Sequence, residues 1–353
     1  MRRKPPLVVA LLAGAVVPIG MVGIFGYFIS RAESGQVEHK YVAFNISPDG
    51  RQVVFSSADA DLYLFDLRTR QVRRLTRSAA LETEPAFSPD GQSIIYASGV
   101  KEGSTGIYVR SLDGRQVREL THGRSTFDAM PSYSSDGKQI TFVRAARHRP
   151  YSMGGWTWDK YDVYVMNRDG SGLRRVTHYG YYQAGHPHLL RDGKQIVFAA
   201  SGDYPDTHTY LFSAPADGVR SPKKLMPPAA PLSSDVSSPA SCAVWGGDPY
   251  PGPDGRQIVF ISDRSKSYNY DAWVRGASGV NPHALGVTRI SGYNQGPVFT
   301  PDGDHVMFLA GTEQNASSRP IFSLWEIDRD GSHPRRIADS RLFTDPSHWK
   351  PEP

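Results

Sequence analysis

An Asp-Gly pair followed by the same pattern of strand residues recurs along the chain, at Asp49-Gly50, Asp90-Gly91, Asp136-Gly137, Asp192-Gly193, Asp254-Gly255 and Asp302-Gly303. Three residues past each glycine stands a β-branched side chain: Val53, Ile94, Ile140, Ile196, Ile258 and Val306. Five past it stands an aromatic: Phe55, Tyr96, Phe142, Phe198, Phe260 and Phe308. The two-residue step puts both on one face of a strand. Asp and Gly supply the hydrogen bond and the positive φ of a tight hairpin, so the six aspartates read as turn formers. Six residues before the glycine sits a proline in five repeats (Pro85, Pro131, Pro187, Pro249, Pro297), with Phe44 in the first. A proline there is expected to open a strand. Downstream come a third strand with an aromatic or large apolar centre, such as Leu62-Tyr63-Leu64-Phe65, a polar turn, and a short fourth strand such as Val72-Arg73-Arg74-Leu75.

Four short strands per unit, at spacings of 41, 46, 56, 62 and 48 residues, describe propeller blades. No amphipathic helical pattern interrupts them, which excludes a βαβ fold. The reading is an all-β, six-bladed β-propeller of four-stranded antiparallel blades over residues 36–353. Blades are expected near 38–77, 84–122, 130–178, 186–226, 245–291 and 296–339. The 34 Gly and 27 Pro fit many turns, and a hydrophobic fraction of 39% leaves ample material to bury, which excludes disorder. Cys242 is the single cysteine, so neither a disulfide scaffold nor a four-cysteine zinc site is available. A formal charge of +5 gives no electrostatic case for nucleic acid.

Residues 1–35 read as an anchor. Arg2, Arg3 and Lys4 precede a charge-free run from Pro5 to Ser30 that ends at Arg31. Its apolar part, Leu7 to Ile29, is long enough to cross roughly 30 Å of hydrocarbon at about 1.5 Å per residue. An uncleaved transmembrane helix preceded by a cytoplasmic tip is expected, with the propeller in the periplasm or extracellular space. A lone thiol fits an oxidising compartment.

The segment Phe87-Ser88-Pro89-Asp90-Gly91-Gln92-Ser93-Ile94-Ile95-Tyr96 resembles the repeat of the TolB propeller family, found in the periplasmic partner of the Tol–Pal envelope system. It is similar also to the propellers that cap prolyl oligopeptidase-type enzymes. Ser262-Asp263-Arg264 is a further feature of such blades. The resemblance implies the fold over residues 36–353 and much less of the function. It departs from TolB proper in having a membrane anchor where an α/β domain precedes the propeller. The stretch Thr344-Asp345-Pro346-Ser347-His348-Trp349 is similar to Thr83-Glu84-Pro85-Ala86-Phe87-Ser88, so residues 342–351 are expected as a closing strand against the first blade.

Long, irregular loops at 99–106, 144–161, 177–186, 201–209, 226–248, 262–271 and 310–320 fall on the face opposite the Asp-Gly turns. Loops of varied length on a rigid scaffold are where binding usually resides. This face is aromatic, and Trp156, Trp158, Tyr161, Tyr181, Tyr182, Tyr204, Tyr268 and Tyr270 are expected to bind protein, peptide or glycan there. The alternative is that these rings pack the loops together. The residues before the prolines (Glu84, Met130, His186, Asp248, Gly296) and Asp345 should ring the channel mouth, with Asp128 and His188 nearby. Such a set suits a divalent cation or a basic peptide, or the groups satisfy one another.

No G-x-S-x-G elbow, phosphate loop, CxxC pair or HExxH occurs. The chain therefore reads as a membrane-tethered, non-catalytic propeller without a cofactor that binds an envelope protein, peptide or glycan. Polysaccharide lyases that resemble this repeat use histidines and a bound metal in the channel. The alternative is accordingly a metal-dependent lyase or hydrolase acting on an acidic sugar, with a divalent cation in the channel.

Overall fold

A computed structural model of the chain describes residues 42–99, 104–122, 125–150, 156–201, 209–225, 246–266, 269–277, 282–312 and 321–350. The expected membrane helix lies outside them. Among the described residues no helix is long and apolar enough to cross a membrane.

Strands follow one another in antiparallel meanders of four, which we call units 1 to 6, over residues 44–74, 82–119, 127–175, 183–224, 246–284 and 293–338. Units 2 and 3 share one eight-stranded sheet through a single parallel bridge, Thr105 to Phe127, and the other units are separate sheets. The fold is all-β.

The repeat positions read from the sequence build its core. Val53, Ile94, Ile140, Ile196, Ile258 and Val306 are buried, and so are the six aromatics two residues on. Each of those aromatics faces another across the hairpin: Phe55 with Tyr63, Tyr96 with Tyr108, Phe142 with Tyr164, Phe198 with Phe212, Phe260 with Trp273 and Phe308 with Trp325. The first four pairs are stacked at centroid distances of 5.7, 6.0, 5.7 and 5.6 Å. Cross-strand aromatic pairs stabilise a sheet beyond the area they bury.

The hairpins carry their own fastening. Ser47, Ser88, Ser134 and Thr300 donate their hydroxyls to the turn aspartates Asp49, Asp90, Asp136 and Asp302 at 2.5–2.7 Å. The Ser88 hydroxyl, ahead of the Gln92 N–H, holds Asp90 at about 2, well below the usual carboxylate range. Gly50, at φ 70°, turns where an added Cβ would sit 3.7 Å from Pro301, so the first unit's turn packs against the sixth.

Apolar clusters lie between sheets and join units 1 and 2, 2 and 3, 3 and 4, 4 and 5, and 5 and 6. A further cluster joins unit 6 back to unit 1, bringing Phe44, Val53 and Phe65 against Met307, Leu309 and Leu324. The chain end completes that junction. The expected terminal strand over 342–351 is instead a helical turn, Arg341–Thr344, followed by turns. Its contacts explain the difference, because they run through side chains and one carbonyl rather than a ladder. The Phe343 carbonyl accepts the Ala58 N–H at 3.0 Å and the Ser57 hydroxyl at 2.8 Å. Phe343 meets Phe55 edge-on at 5.2 Å, and Trp349 meets Phe65 at 5.2 Å with the Arg70 guanidinium over its ring.

Two further expectations change. The prolines lie inside the first strands rather than opening them. The segment 144–161 is largely not a loop. It continues a long hairpin of strands Gln139–Pro150 and Trp156–Asn167, in register from Gln139 with Asn167 to Pro150 with Trp156.

Trp349 is 8% exposed and sits where the first and last units meet. Trp349→Ala is expected to lower unfolding stability by about 3 kcal/mol, from lost burial and the cavity left behind. Equilibrium urea unfolding followed by circular dichroism measures it. Exposed Val219→Ala serves as the control and should shift stability by less than about 0.5 kcal/mol.

Candidate functional site

A proline has no N–H to give a ladder, and it disfavours helical backbone at the residue before it. In units 2 to 6 the first strand answers this with the same irregularity: its pairing slips between Thr83 and Ala86, Ala129 and Ser132, Gly185 and His188, Gly247 and Tyr250, and Gln295 and Val298. At each slip the residue before proline adopts left-handed backbone, with φ of 55° at Glu84, 53° at Met130, 49° at His186, 50° at Asp248 and 57° at Gly296. Unit 1, with Phe44 in place of proline, pairs without a slip.

Left-handed backbone costs a non-glycine residue of order 1–3 kcal/mol and persists only where the surroundings fix it. Here the fixing contacts run from unit to unit. The Met130 N–H donates to Glu84 Oε2, the His186 N–H to Met130 Sδ at 3.2 Å, and the Gly296 N–H to Asp248 Oδ2 at 3.0 Å. His186 Nε2 lies 3.0 Å from Asp248 Oδ1 and joins the fourth unit to the fifth. Glu84, Met130 and Asp248 thus each accept a backbone N–H of the next unit at its bulge.

These residues surround a cavity of about 190 Å³. The residues just after the prolines line it too, namely Ala86, Ser132, His188, Tyr250 and Val298, with Asn45 from unit 1. Asn45 spans units, donating to the Tyr250 hydroxyl at 3.2 Å and accepting the Phe87 N–H at 3.1 Å. This second ring was overlooked in the sequence apart from His188. Its signal was the alternation that places positions two apart on one side of a strand.

Burial pushes Glu84 up to about 7, against the pull of His186 and the Met130 N–H. His186 is raised: burial opposes its charge, but Asp248 and Glu84 outweigh it. Burial would raise Asp248, yet His186 and the Gly296 N–H hold it below the ordinary value. Burial drives His188 down to about 3, helped by His186, and its neutral ring meets Tyr250 edge-on at 4.8 Å. Near neutrality the cavity therefore holds an imidazolium–carboxylate pair and, beside it, Glu84, whose Oε1 has no hydrogen-bond partner.

Of the residues expected at the channel mouth, Glu84, His186, His188 and Asp248 come together around this cavity. Asp128 does not belong there. It is 0% exposed and clasped by Arg144 at 2.6 and 2.7 Å across the strand pair. Asp345 does not belong there either, being exposed and paired with His348 at 2.9 Å. The aromatic face also needs correction. Trp158, Tyr161 and Tyr181 are buried in the core between units 3 and 4, where Trp158 stacks on Phe127 at 6.2 Å and Tyr181 meets Phe198 at 5.9 Å. Left-handed backbone at Lys160, φ 63°, breaks the strand alternation and lets Trp158 and Tyr161 both turn inward, and an isolated bridge pairs Tyr181 with Tyr161. Tyr161 and half-buried Tyr270 reach the cavity, and Tyr182 is half-buried elsewhere. The Trp156 side chain, Tyr204 and Tyr268 lie outside the described residues.

Glu84 gives the fold a pH dependence. Its proton is held more tightly in the folded chain than in the unfolded one, so stability falls as pH rises from about 4.5 toward 7. His186, also raised, acts in the same direction near neutrality. His188, held neutral by burial, acts in the opposite direction over the same range, so the Glu84 contribution is read as a difference between variants. Between pH 5 and pH 7 the urea midpoint of Glu84→Gln, whose amide oxygen can still accept the Met130 N–H, should rise relative to that of the wild-type chain.

Comparison with known proteins follows the same lines. A family profile described as the TolB beta propeller domain matches residues 29–154. The Tol-Pal system protein TolB of Francisella tularensis subsp. holarctica (strain OSU18) is 25% identical over 334 residues. That match takes in 94% of this chain, which spans 66% of the relative's length. Among solved structures, TolB from Acinetobacter baumannii superposes with a TM-score of 0.57 at 19% identity, over 88% of this chain and 66% of that one. An oligogalacturonate lyase from Vibrio parahaemolyticus gives a TM-score of 0.57 at 13% identity, over 84% and 77%. At those identities the two structures speak for the fold alone. The repeat, the meanders and these matches show that the chain is similar to the TolB-like β-propeller family.

Proposed function

We propose that this chain is a closed six-bladed propeller, tethered by a membrane helix over residues 7–29 and exposed to the periplasm or extracellular space. There it binds an envelope protein, peptide or glycan without catalysing a reaction on it. Closure is supported by the cluster joining unit 6 to unit 1 and by the turn at Gly50 against Pro301. The envelope setting is supported by the relative's name as a Tol-Pal system protein and by the charge-free run after Arg2, Arg3 and Lys4.

The observation that carries the binding reading is the cavity itself: a pre-shaped, largely apolar hollow whose histidines are already committed. His186 is paired with Asp248, and His188 is held neutral against Tyr250. Ser132, a hydroxyl on its wall, is engaged with Thr141 and the Pro187 carbonyl at 2.7 and 2.6 Å. A general base needs an orienting partner on one side and a free nitrogen aimed at substrate on the other. The metal-dependent reading is less well supported. The described residues hold no group of three or more His, Cys, Asp or Glu that could take a metal ion. An acidic sugar would face Glu84 and Asp248, with no Lys or Arg among the described lining residues.

Capture tests this proposal. Full-length protein in detergent, immobilised and exposed to an envelope extract, is expected to retain a specific envelope protein or glycan. A rim substitution, Thr209→Trp, should reduce that retention about tenfold, which is near 1.4 kcal/mol. Turnover of an oligogalacturonate with added manganese, without retention of any partner, would overturn the reading.

A further inference from the structure

We propose that the central cavity is a receptor for an organic cation, an ammonium or guanidinium group on a short apolar stem. This rests on the binding reading above and gives it a ligand chemistry. The chain as a whole is basic, with 40 Lys and Arg against 35 Asp and Glu. The cavity has the opposite sign. Its described lining includes Glu84 and Asp248 and no Lys or Arg. His186 compensates one carboxylate, Asp248, at 3.0 Å, which leaves Glu84 without a counter-ion of its own.

Glu84 is also the group with an open valence. It is 7% exposed, its Oε2 is taken by the Met130 N–H, and its Oε1 has no partner. A buried acceptor left unmade is costly, and a charge-assisted N–H from a cation satisfies both its hydrogen bond and its charge. The walls suit the same guest. Phe44, Tyr161 and Tyr250 line the cavity with Met130, and aromatic faces attract ammonium and guanidinium groups. A volume of about 190 Å³ is on the order of six water volumes, room for such a head group and a few carbons. A carboxylate or phosphate ligand would meet only like charge. Protonation of Glu84 would weaken the site, and the other titratable groups lining the cavity are His186, His188, Asp248, Tyr161, Tyr250 and Tyr270.

The cation has two possible sources, a free amine or a Lys or Arg side chain of a partner. Isothermal titration of the full chain in detergent at pH 8 separates them with n-butylguanidinium and an end-blocked Gly-Gly-Arg-Gly-Gly peptide. The neutral n-butylurea and the anion pentanoate serve as controls. At least one cation should bind ten times more tightly than either control. Glu84→Gln should abolish that preference, and Asp345→Asn, outside the cavity, should keep it. Tighter binding of the peptide assigns the cation to a partner side chain, and binding of n-butylguanidinium alone assigns it to a small amine. If Glu84→Gln does not fold, the wild-type chain decides: its preference for the cation should fall at least fivefold between pH 8 and pH 5. Equal binding of n-butylguanidinium and n-butylurea, or tighter binding of pentanoate, would overturn the proposal. Partner capture that persists without cation binding would sink this site and leave the binding reading standing. Cation binding without partner capture would do the reverse.

Discussion

A proline in mid-strand leaves a ladder with no hydrogen to share, and five of the six first strands carry one. The bulge that follows dictates most of what is distinctive here. At it the preceding residue takes left-handed backbone and lines the cavity, and a backbone N–H is left without a ladder partner. Glu84, Met130 and Asp248 then find their roles as acceptors for the freed groups of the next unit. The cavity and its polar ring are thus a consequence of strand chemistry before they are a site. Unit 1, lacking the proline, contributes Phe44 and Asn45 to the wall without a slip.

That ring would be unaffordable without the packing around it. Stacked cross-strand aromatics stiffen each hairpin, and an apolar cluster at every junction between neighbouring units holds the sheets at fixed positions. Backbone strain at the cavity wall is offset by burial between the sheets. The helical turn at Arg341–Thr344 and Trp349 extend the last of these junctions, so the chain end reinforces the place where first and last units meet.

Much of this was legible in the sequence, and the rest fails for identifiable reasons. Six repeats with fixed β-branched and aromatic offsets point to the meanders, because hairpin turn and strand parity are local properties. A proline at a strand's start and one inside a bulge have the same sequence signature, so the pattern alone does not separate them. Trp158 and Tyr161 were placed on a loop since Arg144, Arg147, His148 and Arg149 break the apolar alternation of what is a continuous strand. Asp128 could be located only once its register with Arg144 was known, and that register depends on the bulge two residues away. Glu84, His186 and Asp248 share the position before proline, and all three line the cavity. Their mutual bonds were not legible, because they link residues 46 to 62 positions apart in sequence.

Amide hydrogen exchange at Met130, His186 and Gly296 tests the central claim most directly. These three N–H groups have no ladder partner of their own, and the account makes them protected by side chains of the preceding units. They should exchange about a hundredfold more slowly than an exposed turn amide such as that of Asp169. Asp248→Ala should release Gly296 while Met130 stays slow. Exchange of all three at turn-like rates in the wild-type chain would contradict the inter-unit relay and the cavity built upon it.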